Sequence, residues 1–415
     1  MNDHPISLDL SLPWALRRTG RAGYIALVAA CALLAAVSGC GGGVGTGGTG
    51  ASASYVSGPV TGLGSVIVAG IRFDDNCDCV EDADGAKRDR TELRLGMTVE
   101  IESDAVQPDA AGVLAAKATR VRLGSELVGA ASAIDVANAR LVVAGHPVRV
   151  NASTVFDDSL AGGLVALASG AGVEVYGFFD PATAGYTATR IERRSSTVTS
   201  FRVRGPIGDI DRAALVLRIG SQVYDISALA AVPATLAPGQ FVRLAVAPAA
   251  IAPARWRVSA LLSGARAIID DRDRDRAEIE GFITAIASPT RFSVDGVPVD
   301  ASGLAGLPSG LTVGTRVEVE GQTRSGVLVA SAIKVRTEDA VRSEGFELHG
   351  AIESVNRTTD TLVLRGLTVF FAGNPPPRFD KGTAADLAVG RRIEVRGMLS
   401  ADRTRIVATR IGFED

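Results

Sequence analysis

"IEGFITAIASPTRFSVDGVPVD", residues 279–300, opens on Gly281, breaks at Ser288-Pro289-Thr290 and breaks again at Asp295-Gly296. A strand follows the first glycine, and a second apolar strand runs to the turn glycine. Glycine supplies the positive φ of a tight hairpin, so Val299, three positions beyond Gly296, begins the return. The next segment, "LTVGTRVEVEG" from Leu311, alternates Val317, Val319 and Gly321 with Glu318 and Glu320. Period two reads as a strand with one buried and one wet face. A last strand, "LVASAIKV", completes the unit.

The same grammar occurs five times, and its period fits a small domain better than a solenoid unit. Opening glycines recur at Gly58, Gly129, Gly205, Gly281 and Gly350, and turn glycines at Gly70, Gly145, Gly220, Gly296 and Gly366. The fifth copy reads "LHGAIESVNRTTDTLVLRGLTVF", then "LAVGRRIEVRG", then "IVATRI". The third departs most: after Gly239, "QFVRLAVAP" has no closing glycine and "RWRVSALL" replaces the usual last strand. Five short strands, with the longest connection between the third and fourth, predict an all-β chain of tandem five-stranded OB-like Greek-key barrels. β-Sandwiches sharing strands between units fit the spacing as well. The barrels are expected as beads along a rod.

The Gly-x-Val, Gly-x-x-Val and Val-Glu-Val-x-Gly pattern across residues 57–413 resembles bacterial lipoproteins that carry tandem OB-like domains of unknown function. That resemblance supplies no activity and no catalytic residues.

The N-terminus carries a second signal. Arg17, Arg18 and Arg21 precede the apolar run "YIALVAACALLAAV", Tyr24 to Val37, which is the layout of a signal peptide. A spanning helix needs about 20 apolar residues, more than this run has. Val37-Ser38-Gly39-Cys40 resembles the lipobox of bacterial lipoproteins. The resemblance implies that Cys40 is acylated on sulfur and becomes the new N-terminus, and that Gly41 permits transfer to the outer membrane in a Gram-negative host. Gly41 to Ser54 then forms a flexible tether of about 20 Å. The chain accordingly divides into a signal peptide at 1–39, the lipidated cysteine and linker at 40–56, repeats at 57–123, 124–196 and 197–263, a charged linker at 264–277, and repeats at 278–337 and 338–415.

Formal charge is −3 for the whole chain, and loss of the leader moves it to about −4. Such a chain lacks the electrostatic footprint of a nucleic-acid binder. Aromatic residues make up 5% of the sequence, and residues such as Phe292 and Phe370 fall on apolar strand faces, so stacking platforms for single strands are not expected. Phe178 and Phe179 are adjacent and fit core packing.

Nucleophilic catalysis has little to work with. Beyond the leader the histidines are His146, in the hairpin turn "VAGHPV", and His349, beside Gly350. The first is expected to be structural and the second a solvent-facing edge residue. No Gly-x-Ser-x-Gly elbow occurs.

The loop "FDDNCDCVEDADGAKRDR" is the sharpest local anomaly. Asp74, Asp75, Asp78 and Asp82 with Cys77 and Cys79 offer oxygen or thiolate ligands to a divalent metal. An EF-hand alignment fails, because Cys79 stands where glycine is needed and Gly85 where glutamate is needed. In an oxidising compartment the two cysteines suit a tight bridge or an exposed pair in a solvated loop. The alternating run Asp270 to Glu278 reads as a solvated linker, and Arg193-Arg194 and Arg391-Arg392 as surface charge.

No cofactor is expected. The sequence points to a non-catalytic envelope protein, held at the membrane by its lipid, that binds envelope proteins or glycans as a multivalent adaptor. The alternative is a metal-binding or metal-responsive lipoprotein acting through the Cys77 loop.

Overall fold

In the computed structural model the unit just quoted is built from strands Arg274–Ser288, Arg291–Val294, Val297–Asp300, Arg316–Arg324 and Val327–Val335. The first pairs antiparallel with the second and the fourth, the second with the third, and the fourth with the fifth; the third and fifth run parallel. These pairings close a ring in the order 1-2-3-5-4, the connectivity of an OB-like barrel. The structure describes residues 53–194, 197–270, 272–403 and 405–414. Cys40 and the leader before it lie outside the described residues.

The same ring recurs four more times. Barrel 1 uses Ser54–Pro59 continued by Gly62–Leu63, then Val66–Val68, Ile71–Asp74, Thr98–Ser103 and Leu114–Leu123. Barrel 2 uses Leu127–Asp135, Arg140–Val143, His146–Arg149, Gly172–Asp180 and Gly185–Arg193. Barrel 3 uses Phe201–Pro206 with Asp209–Asp211, then Val216–Ile219, Gln222–Asp225, Phe241–Val246 and Arg255–Ser263. The unit above is barrel 4. Barrel 5 uses Phe346–Ala351 with Ser354–Asn356, then Thr361–Leu364, Leu367–Phe370, Arg392–Leu399 and Ile406–Phe413.

Two glycine positions of the repeat have separate physical causes. The hairpin between the second and third strands turns on residue pairs such as Asp295-Gly296 and Arg365-Gly366, both at positive φ (49° and 81°, 55° and 73°), as a two-residue type I′ connection requires. The closing glycine sits at a β-bulge where the fourth strand crosses the fifth: a Cβ on Gly321 would lie 2.0 Å from the Val329 carbonyl oxygen. Barrel 3 keeps a bulge at Ala245/Val246, so the missing glycine leaves its topology intact.

The expected beads on a rod are not found, because strands pair across barrels. Ser54–Ser57 of barrel 1 runs parallel to Arg276–Ile279 of barrel 4, Gly62–Leu63 runs parallel to Glu347–Leu348 of barrel 5, and Leu127–Val128 of barrel 2 pairs with Arg202–Val203 of barrel 3. Barrels 2 and 3 share one apolar core, and barrels 1 and 5 share another. Pairing of this kind covers strand edges that separate barrels would expose.

The covering also breaks the expected alternation of wet and dry faces. Glu318 is buried and paired with Lys334 at 2.5 Å, and Glu280 is buried and paired with Arg316 at 2.8 Å. Strand Arg274–Ser288 likewise overruns the expected linker. Arg274 is 2% exposed and bonds Asp270 at 2.8 Å, so the C-terminal part of 264–277 is sheet rather than solvated connection. Burial works to raise the Asp270 carboxyl, but hydrogen bonds from Arg274 and Arg272 outweigh it and hold the pKa down to about 2.

Candidate functional site

Five charged side chains from three barrels and two connecting segments meet in the interior. Glu100 lies on the fourth strand of barrel 1, Glu126 just ahead of barrel 2, Arg204 on the first strand of barrel 3, Arg266 between barrels 3 and 4, and Asp295 in the hairpin turn of barrel 4. Arg204 bonds both Glu126 oxygens at 3.0 Å and Asp295 Oδ2 at 3.2 Å. Arg266 bonds Asp295 Oδ2 at 2.6 Å and Glu126 Oε1 at 3.2 Å, and pairs with Glu100 at 3.6 Å. Tyr55 donates to Glu100 at 2.8 Å, and the Arg204 guanidinium lies 4.5 Å from the Phe241 ring centre. Burial pushes the Glu126 carboxyl up against the pull of Arg204 and Arg266; at Asp295 the same two guanidiniums outweigh burial and hold it down. These charges are spent on one another, so the cluster fastens barrels together rather than presenting a reactive group. The five residues are far apart in sequence and no local motif marks them.

The residues singled out from sequence fare differently. Cys77 and Cys79 are joined in a disulfide, which takes both sulfurs out of a ligand set. The acids around them serve local bonds: Asp74 accepts from the Asn76 amide, Asp82 from the Asp84 and Ala86 amides, and Asp78 pairs with Lys87 at 2.6 Å. Asp84 reaches Arg243 of barrel 3 at 2.9 Å. Among the described residues, three potential ligand atoms come within 4.8 Å of one another at Glu347, His349 and Glu394, not in this loop. There Arg72 and Arg396 already supply positive charge, at 2.5 and 2.9 Å from Glu347.

His349 is not the solvent-facing edge residue the sequence suggests. Its side chain is 15% exposed, with Nε2 2.6 Å from Glu347 and Nδ1 2.9 Å from Glu414, because barrel 1 covers that edge of barrel 5. Burial works to lower its pKa, but the bonds to the two carboxylates outweigh it and the imidazole titrates above its usual value. His146 is structural, as expected, but fully buried. Its Nε2 lies 2.6 Å from the Tyr224 hydroxyl across the barrel 2–3 junction, and burial drives its pKa down to about 4. Phe178 and Phe179 are buried; the first packs edge-on to Phe282 of barrel 4 and the second to Tyr186. Arg193, Arg194, Arg391 and Arg392 are exposed.

A cleft of about 630 Å³ opens where barrels 1, 2 and 5 come together. Its floor is apolar, with Leu63, Val66 and Leu93 from barrel 1 and Leu367 from barrel 5. Barrel 1 is seated against barrel 2 at its back: Arg190 donates to the Leu95 carbonyl at 3.1 Å, and Gly96, at φ 80°, leaves only 2.5 Å between a Cβ and the Thr189 oxygen. The rim mixes guanidinium and carboxylate groups. Asp75 is among them, and burial raises its pKa.

Comparisons with known proteins bear on the fold units. No curated protein matches the chain. A solved structure titled "drosophila Unr CSD456" is similar at 14% identity over 52% of this chain and 98% of that one, with a TM-score of 0.15. A family model does align, described as Domain of unknown function (DUF5666), and it matches residues 128–192, 280–334 and 349–412, which are barrels 2, 4 and 5.

Proposed function

We propose that this chain is a non-catalytic, lipid-anchored protein of the bacterial cell envelope that acts as a multivalent adaptor for envelope proteins or glycans. The observation that carries the reading is the strand pairing between barrels. It joins barrels 1, 4 and 5 to one another and barrels 2 and 3 to each other, and the Arg204 bond to Asp295 links the two groups. The fixed spacing of repeated units converts weak contacts into avidity. Equivalent loops of barrels 4 and 5 present Val313 and Val389, 44% and 68% exposed. The two histidines of the mature chain, one buried against Tyr224 and one tied between carboxylates, support a binding role over acid–base chemistry. Cys40 fixes the location through its lipid.

The test is photo-crosslinking of the full-length chain in its native cells from positions 313 and 389, with Cys40→Ala as a companion. An envelope protein or glycan adduct is expected, together with loss of the Cys40→Ala variant from membranes. Absence of any adduct overturns the adaptor. Palmitate labelling of Cys40→Ala overturns the anchor.

A further inference from the structure

We propose that the cleft between barrels 1, 2 and 5 is a binding site for an acidic oligosaccharide, a chain of sugar rings carrying carboxylates. This rests on the binding role above and names a ligand class for it. A volume of about 630 Å³ is in the range of small-molecule sites, which favour junctions between domains.

The guanidiniums on the rim are the first reason. Arg90 bonds the Asn76 side-chain oxygen, Arg94 the carbonyls of Thr91 and Leu93, Arg193 the Ala166 carbonyl, and Arg365 the His349 carbonyl. All four bond neutral acceptors and none lies within ion-pair distance of a carboxylate among the described residues; Arg90 and Arg365 act on Asp75 at longer range. Each guanidinium has five N–H donors, and these bonds use only one or two. Five carboxylates, Asp75, Asp157, Asp158, Glu192 and Glu353, line the same cleft, and three of them already accept bonds. Asp157 accepts from Ser159 and from the Arg193 amide, Glu192 from Arg190, and Glu353 from the Gly366 amide. An incoming anion therefore meets spare donors, and guanidinium binds carboxylate in a bidentate fork.

Sugar hydroxyls explain the remaining features. A hydroxyl both donates and accepts, so it suits a rim that mixes guanidinium and carboxylate groups. The raised Asp75 carboxyl adds an acceptor or donor there, and the apolar faces of the rings fit the leucine floor. A second cavity of about 330 Å³ adjoins the cleft through Asp157, Asp158, Gly366 and Leu367 and adds Arg403 and Arg405. Nε of Arg405 is buried with no hydrogen-bond partner among the described residues. Two adjoining cavities with guanidiniums in each suit an extended chain better than a compact anion.

The experiment is calorimetric titration of the purified full-length chain with tetragalacturonate and with its fully methyl-esterified form, at low and at moderate salt. Saturable binding of the acid is expected, weakened at least tenfold by esterification and weakened again by salt. The double variant R90Q/R94Q, and separately R403Q, should each lower affinity tenfold or more with an unchanged unfolding temperature. If one variant misfolds, the other decides. No binding of the acid, equal binding of the ester, or undiminished binding by a folded variant overturns the proposal. Crosslinking to an envelope partner in cells would survive any of these results, so failure of this site is distinguishable from failure of the adaptor.

Discussion

The loop from Asp74 to Asp84 and the interior cluster of Glu100, Glu126 and Asp295 both crowd carboxylates together, yet they have opposite physical standing. In the loop Asp74, Asp78 and Asp82 bond partners close in sequence and much of the loop faces water; the Asp78 side chain is 85% exposed. In the cluster the side chains of Glu126 and Asp295 are 0% and 5% exposed, and their partners come from other barrels. A charge in water is cheap to hold and weakly coupled to its neighbours, whereas a charge in the interior must be matched or neutralised. Crowding of acids along the sequence therefore says little about where charge matters to this fold.

The sharpest way to break the comparison is Arg204→Met. It strands Glu126 and Asp295 without one of their two guanidiniums and should cost roughly 3–5 kcal/mol in denaturant unfolding. A loss below about 1 kcal/mol would show that the cluster relaxes around the gap. His146 probes the interior by pH. Burial lowers its pKa to about 4, so the unfolded chain binds the proton more readily between about pH 6.5 and 4. Its contribution is complete above pH 6.5 and falls away as pH drops through that window, by up to about 3 kcal/mol. Comparing the pH profiles of wild type and His146→Leu isolates it. A parallel pair of profiles would place the imidazole in water.

His349 should show the reverse sign. Its raised pKa means stability present below the unfolded value and lost as pH rises through the folded one, which His349→Gln should abolish. Within the loop the effects shrink. Replacing Cys77 and Cys79 together by serine should cost about 1.5 kcal/mol, the chain-entropy contribution of so small a ring. Asp78→Ala should stay within about 0.5 kcal/mol by thermal unfolding. A larger loss there would mean that the loop's contact through Asp84 to Arg243 of barrel 3 depends on it.

The barrels themselves were legible because their signals are local. A positive-φ turn at Asp295-Gly296 and a bulge at Gly321 each follow from residues a few positions apart, and five repetitions fixed the order of strands. The start of the first strand of barrel 4 is not legible in the sequence, because Arg274 looks like linker charge until barrel 1 covers it. His349 failed for the same reason: nothing near it in sequence announces that Gly62–Leu63 will pair beside it.

By itself the sequence determined five all-β units and the hairpin glycines, since each depends on backbone conformation or on period-two burial within a unit, and it marked the acidic loop around Cys77 and Cys79 without settling the state of the two sulfurs. Only the tertiary structure decided which edges pair between barrels, that five dispersed charges share one interior cluster, and that barrels 1, 2 and 5 enclose a cleft. Those features depend on residues brought together across tens to hundreds of positions, where neither periodicity nor turn chemistry carries information. Their partners are selected by burial, which makes an unmatched charge costly wherever in the chain its partner lies.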